Sequence, residues 1–91
     1  MKIYPTAKIA WQVYRNVVYV FNEETKKVYL FSGTAKDFWI AIMNSFDTFT
    51  AIHSLCLIYG EANQEIISED IQYFVSNLIK VGVLQKEEYD G

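Results

Sequence analysis

The sequence predicts an α+β domain in which a three-stranded antiparallel sheet is followed by three helices, a βββααα order that is winged helix-turn-helix-like. Two observations carry this. Short β-branched and aromatic runs separated by tight polar breaks fill the first third of the chain, and from Ser32 onward apolar residues recur at helical spacing instead. A third sets the scale: 91 residues that are 52% hydrophobic provide one modest core and no second domain, expected to be ordered over about residues 8–85.

The first two strands are expected at Ile9 to Tyr14 and Val17 to Phe21, with Arg15-Asn16 as a two-residue hairpin break. Asn22-Glu23-Glu24-Thr25-Lys26 is a polar turn into a third strand, Val28 to Phe31, and connections this short imply an antiparallel meander. Ser32 then caps a first helix whose apolar stripe is Ala35, Phe38, Trp39, Ile42 and Phe46. Asn44 to Asp47 breaks it. Asp47 or Thr48 caps a second helix with Phe49, Ile52, Leu55, Cys56 and Tyr59 as its core face, stopped by Gly60. After a polar loop from Glu61 to Glu65, Ser68 is expected to cap the third helix, with Glu69 and Asp70 in its electropositive first turn. Ile71, Phe74, Val75, Leu78 and Ile79 follow the i, i+3, i+4, i+7, i+8 pattern, and Gly82 ends the helix. Val83-Leu84 is expected to fold back on the core, and the tail from Lys86 to fray.

The charge pattern narrows the function classes. The net charge is -3 and the eight Lys and Arg are scattered at 2, 8, 15, 26, 27, 36, 80 and 86, so no basic stripe is available to neutralise a phosphate backbone and no nucleic-acid partner is expected. A single cysteine, Cys56, cannot form an internal disulfide, and the start Met1-Lys2-Ile3-Tyr4-Pro5 lacks the apolar segment of a signal peptide, which together imply a cytoplasmic protein. No apolar run approaches the roughly 18 residues of a membrane span, so no membrane partner is expected.

No catalytic residue is assigned. His53 lies off the apolar stripe with no carboxylate or second ligand at helical spacing, and Cys56 lies on the stripe, where a thiol behaves as a small hydrophobe. Zinc needs about four ligands at a recognisable spacing, and Gly33, Gly60 and Gly82 each mark a helix boundary and form no phosphate-cradling loop. The carboxylates Glu23, Glu24, Glu61, Glu65, Glu69, Asp70, Glu87 and Glu88 fall in turns, caps or the tail, without the hydrophobic cleft that paired acid-base carboxylates require. The chain is therefore expected to be no enzyme and to hold no metal or cofactor. Its surplus is aromatic: Tyr4, Trp11, Tyr14, Tyr19, Tyr29, Tyr73 and Tyr89 exceed what so small a core buries, and such residues favour protein or peptide interfaces.

The order of motifs from about Val17 to Leu84 resembles the PqqD-like family of peptide-binding domains, the RiPP recognition elements. Asn22, Glu24 and Thr25 match its Asn-x-Glu-Thr turn, and Phe31-Ser32-Gly33-Thr34-Ala35 followed by Trp39 matches its strand-to-helix step. Thr48, Ile52 and Leu55 match its second helix, and Asp70-Ile71, Phe74, Leu78, Gly82, Val83 and Leu84 its third. Phe31, Ser32 and Lys26 stand where the family commonly has Leu, Asn and a turn Gly.

The resemblance implies a peptide chaperone in RiPP biosynthesis. The leader of a ribosomally made precursor would lie antiparallel along the third strand, in a groove closed by the third helix, and be presented to a RiPP-modifying enzyme, such as those of lasso or radical-SAM-modified peptides, or to a leader protease. The implied peptide-binding residues are Lys27, Val28, Tyr29, Leu30 and Phe31 on the strand and Asp70, Tyr73, Phe74 and Asn77 on the helix. Alternation turns Phe31 and Tyr29 toward the helices and Val28 and Leu30 away. Phe31 and Phe74 are expected mainly as core residues, and Tyr73 and Asn77, off the core stripe, as direct contacts. Two other readings stay open: a winged-helix DNA-binding regulator, opposed by Glu69 and Asp70 on the would-be recognition helix, and a structural subunit that dimerises through its aromatic surface, so that monomer and dimer are both allowed.

Overall fold

The computed structural model describes residues 1–87; Glu88 and Tyr89, named above for their charge and aromaticity, lie outside the described residues. A short strand β1 (Ile3–Pro5) precedes the expected meander of β2 (Ile9–Tyr14), β3 (Val17–Asn22) and β4 (Lys27–Phe31), which pair antiparallel in the order β2-β3-β4. The hairpin at Arg15-Asn16 turns tightly because both residues adopt left-handed conformations, φ 49° and 65°, the pair of values a type I′ turn requires. Asn22 organises the next turn. Its buried side-chain oxygen accepts from the N–H groups of Glu24 at 2.9 Å and Thr25 at 3.3 Å, while Lys26, where a turn Gly is common in the family that the sequence resembles, takes up a left-handed φ of 64°.

Helix α1 (Gly33–Ser45) follows β4 directly, with Ser32 extended at its N-cap and Gly33 at φ 56°, a conformation that side chains other than glycine rarely adopt. Phe38, Trp39, Ala41, Ile42 and Met43 are buried. Phe46, expected in that stripe, is instead the left-handed C-cap and is exposed, its ring 5.5 Å from Tyr4, because the helix has already ended there.

Helix α2 (Thr48–Tyr59) is capped by Asp47, whose carboxylate accepts from the Thr50 N–H at 3.0 Å and the Thr50 hydroxyl at 2.9 Å. Its buried face is Thr48, Ala51, Leu55 and Cys56, with Ile52 partly buried; the expected core residues Phe49 and Tyr59 are exposed. The reason is compositional: α2 contains no Asp, Glu, Lys or Arg, so polarity does not single out one face. The Tyr59 hydroxyl turns to α1, donating to the Asp37 carboxylate.

A 3₁₀ turn at Glu61–Asn63 leads into α3 (Gln64–Lys80), which begins four residues before the expected cap at Ser68. Ile67 is buried and extends the stripe of Ile71, Val75 and Leu78 backwards by a turn, so the helix gains apolar burial by starting early. Ser68 lies within it, accepting from Gln72 Nε2 at 3.2 Å, and Glu65 rather than Glu69 or Asp70 occupies the first turn.

Gly82, at φ 81°, reverses the chain, and Val83 and Leu84 return to the core as expected. The expectation of a frayed tail does not hold for Lys86 and Glu87, because strand β5 (Leu84–Lys86) pairs antiparallel with β1 in the register Ile3↔Lys86 and Pro5↔Leu84, and the Glu87 N–H donates to the Lys2 carbonyl at 3.1 Å; the rest of that tail lies outside the described residues. The core therefore reaches back to Ile3, which is wholly buried, beyond the expected span of 8–85, and a two-stranded sheet is added to the three-stranded one.

Truncating Ile3 tests this closure: Ile3→Ala should cost about 2–4 kcal/mol in urea unfolding, as for a buried aliphatic elsewhere in the core. Hydrogen bonds from the Thr50 backbone and hydroxyl hold the Asp47 carboxyl below its ordinary value of 3.8. A depressed folded value stabilises above the unfolded one and is lost as pH falls through it. The stability gap between wild type and Asp47→Asn should thus be constant near neutrality and close below about pH 4 in urea titrations at stepped pH.

Candidate functional site

Strand β4 pairs with β3 on one side and with no strand on the other, among the described residues. In an antiparallel pair, alternate residues aim their N–H and C=O groups away from the partner, so this side of β4 carries unpaired backbone groups. The side chains alternate as expected. Tyr29 and Phe31 pack toward the helices, whereas Val28 and Leu30 are exposed on the opposite face, across from Phe21 and Tyr19 of β3.

At the end of β4 the chain turns through Gly33, which sets the first turns of α1 beside the strand. Between them and α3 lies a groove of about 540 Å³, within the range of ligand and side-chain pockets. Its floor is aromatic: Phe74 meets Phe31 at 5.1 Å and Phe38 at 5.7 Å, both edge to face, and Phe31 rests on Trp39 at 5.7 Å. Thr34 and Ala35 close one side and Leu78 lies deeper. Asp70, Tyr73 and Asn77 form the rim on α3. Residues 70, 73, 74, 77 and 78 make one stripe along the helix, rotated from the core stripe of Ile67, Ile71, Val75 and Leu78 and about 12 Å long at 1.5 Å per residue.

Five of the nine residues drawn from the resemblance, Phe31, Asp70, Tyr73, Phe74 and Asn77, thus come together in one groove. Lys27, Val28, Tyr29 and Leu30 lie along the strand and outside the groove lining, Tyr29 against the core and the other three exposed. Phe31 and Phe74 are partly buried and serve core and groove at once, and Tyr73 is 72% exposed at the rim. Thr34, Ala35, Phe38 and Leu78 were absent from the expected set. The signal for the first three was the Ser32-Gly33 step, which leaves too little chain between strand and helix for α1 to start anywhere but next to the strand end.

Asp70 is the one charged residue in the groove lining, and it forms no ion pair among the described residues. His53 is exposed and Cys56 is buried, and no three His, Cys, Asp or Glu side chains converge on a possible metal position among the described residues. None of the described helices is long and apolar enough to cross a membrane. On the β2 side of the sheet there is a depression of about 190 Å³ around Trp11, Tyr19 and Phe21. A larger surface hollow near β5, about 720 Å³, is rimmed by Gln85, Lys86 and Glu87, groups that water solvates well.

No protein-family model matches the chain, and no curated protein matches it in sequence. Among solved structures it shares its fold with TbiB1, in the structure of TbiB1 in complex with the TbiA(beta) leader peptide: the TM-score is 0.81 at 14% identity, and the match covers 100% of both chains. The likeness is one of fold, and it spans all the elements that frame the groove.

Exposed residues of β4 and of the groove rim should be separable from structural ones. Tyr73→Ala and Leu30→Lys should each leave unfolding free energy within about 0.5 kcal/mol of wild type. Phe74→Ala should cost about 2–4 kcal/mol, because it removes the ring that ties α3 to Phe31 and Phe38.

Proposed function

We propose that this chain binds the leader segment of a ribosomally synthesised precursor peptide as an added strand on the free edge of β4, and presents it to a modifying enzyme or leader protease. The observation that carries this reading is the meeting of an unpaired strand edge with an apolar groove at Phe31, the residue they share. Strand addition pairs the idle N–H and C=O groups of β4 regardless of the guest's sequence, and the groove selects among guests by the side chains that fit it. The fold shared with TbiB1, whose structure holds a leader peptide, supports leader-peptide binding here. Lys27 to Phe31 would meet the guest backbone, and Tyr73, Phe74, Asn77 and Asp70 its side chains. Catalysis would belong to the partner enzyme.

Isothermal titration of precursor peptides encoded beside this gene tests the reading, with micromolar or tighter binding expected. Tyr73→Ala and Leu30→Lys, both expected to fold normally, should weaken binding about five- to thirtyfold if they flank the guest. Guests N-methylated on alternate amides should fall into two sets, one binding normally and one silent, since only every second amide faces β4. Heat release indifferent to both substitutions and to both methylation phases would rule the edge out.

A further inference from the structure

We infer that the groove selects a guest bearing Lys or Arg two positions from a large apolar side chain, and that Asp70 is the residue that sets this preference. The inference rests on the strand-addition reading and adds to it the chemistry of the guest.

The floor of the groove is hydrocarbon, built from Phe31, Phe38 and Phe74, and would favour one large apolar anchor while penalising any charge pushed into it. The rim is different at one end. Asp70 is exposed there with no ion-pair or hydrogen-bond partner among the described residues, and Glu69 lies next to it and Glu65 five residues before it on α3. The nearest cation on α3 is Lys80, ten residues or about 15 Å further along the axis, beyond the screening distance of about 8 Å at physiological salt. Lys27, at the far end of β4, and Lys36, on α1, do not line the groove. Asp70 is thus the one charge that lines the groove, and it is negative, so a guest cation gains there and a guest carboxylate is repelled.

Helix and strand geometry fix the spacing. Asp70 and Phe74 are one turn apart, about 6 Å along α3. An extended guest lying along the helix covers about 6.6 Å in two residues, and side chains two apart project from the same face. A residue anchored over Phe74 thus has its i±2 neighbour, on one side, level with Asp70.

The test is selection of random dodecapeptides, displayed on messenger RNA, against the full chain as wild type, Asp70→Asn and Asp70→Lys. Wild type should enrich Lys or Arg two positions from an aromatic or large aliphatic residue; Asp70→Asn should keep the anchor and lose the cation, and Asp70→Lys should enrich Asp or Glu in its place. In a synthesised wild-type winner, replacing the cation by Glu should weaken binding about three- to tenfold, and this gap should shrink at about 1 M salt, which a steric effect would not do. Winners with the anchor but no charge preference, or with a preference unchanged by Asp70→Lys, would overturn this inference and leave the peptide reading standing. A selection that yields no binder sensitive to Tyr73→Ala would overturn both.

Discussion

The sheet is held to the rest of the molecule through Trp39, and the groove exists because of where that attachment is made. Its indole is wholly buried on α1, edge to face with Trp11 of β2 at 5.9 Å and against Phe31 of β4 at 5.7 Å, so one side chain reaches both outer strands of the three-stranded sheet. The arrangement has a cost. The Trp39 Nε1–H is buried with no acceptor among the described residues, and an unpaired buried donor of this kind costs about 1–3 kcal/mol. Burial of a side chain of this size, with two aromatic contacts worth about 0.5–1.5 kcal/mol each beyond their area, offsets it.

Helix α3 packs on α2 and on β5, and its aromatic contact with the sheet is Phe74 against Phe31. The two short strands β1 and β5, which join the two ends of the chain, fix the far end of α3. The groove lies where α3 meets the first turns of α1 beside the end of β4, with the Phe31–Phe74 contact in its floor. Its floor of Phe31, Phe38, Phe74 and Leu78 belongs to the core or packs on it, whereas Thr34, Ala35, Asp70, Tyr73 and Asn77 line the groove without joining that core.

Local chemistry explains which parts of this were legible in the sequence. Arg15-Asn16, Gly60 and Gly82 announce reversals because few residues tolerate positive φ, and Tyr29 and Phe31 face the helices because strand alternation has a period of two. Strands β1 and β5 were illegible: each is three residues long, too short for any period to register, and they meet across about 80 positions of chain. The buried face of α2 was misread since a helix of uncharged residues leaves the choice to its neighbours, which took Ala51 and rejected Phe49. The start of α3 was misread because a Ser followed by two acids is a good cap signal, and the burial of Ile67 outweighs it. Half of the groove was found on α3 and β4 through the resemblance, while the α1 wall was missed because Ala35 and Phe38 fit a core stripe equally well.

Magnitudes decide which part of the groove would govern affinity on the proposed reading. A guest strand along the five residues of β4 would form some four to six backbone hydrogen bonds, each worth about 0.5–1.5 kcal/mol net. Ordering five guest residues costs about 1–2 kcal/mol apiece in backbone entropy alone. These two sums nearly cancel, so the open edge fixes the guest's direction and register and supplies little net affinity. A micromolar complex needs about 8 kcal/mol beyond that, before any cost of association, and at about 25 cal/mol per Å² this means removing more than 300 Å² of apolar surface from water. The aromatic floor formed by Phe31, Phe38 and Phe74, with Tyr73 at its rim, is the groove surface that can take up an apolar anchor beside the edge. The edge is therefore what makes many extended chains acceptable, and the floor is what would let one of them stay.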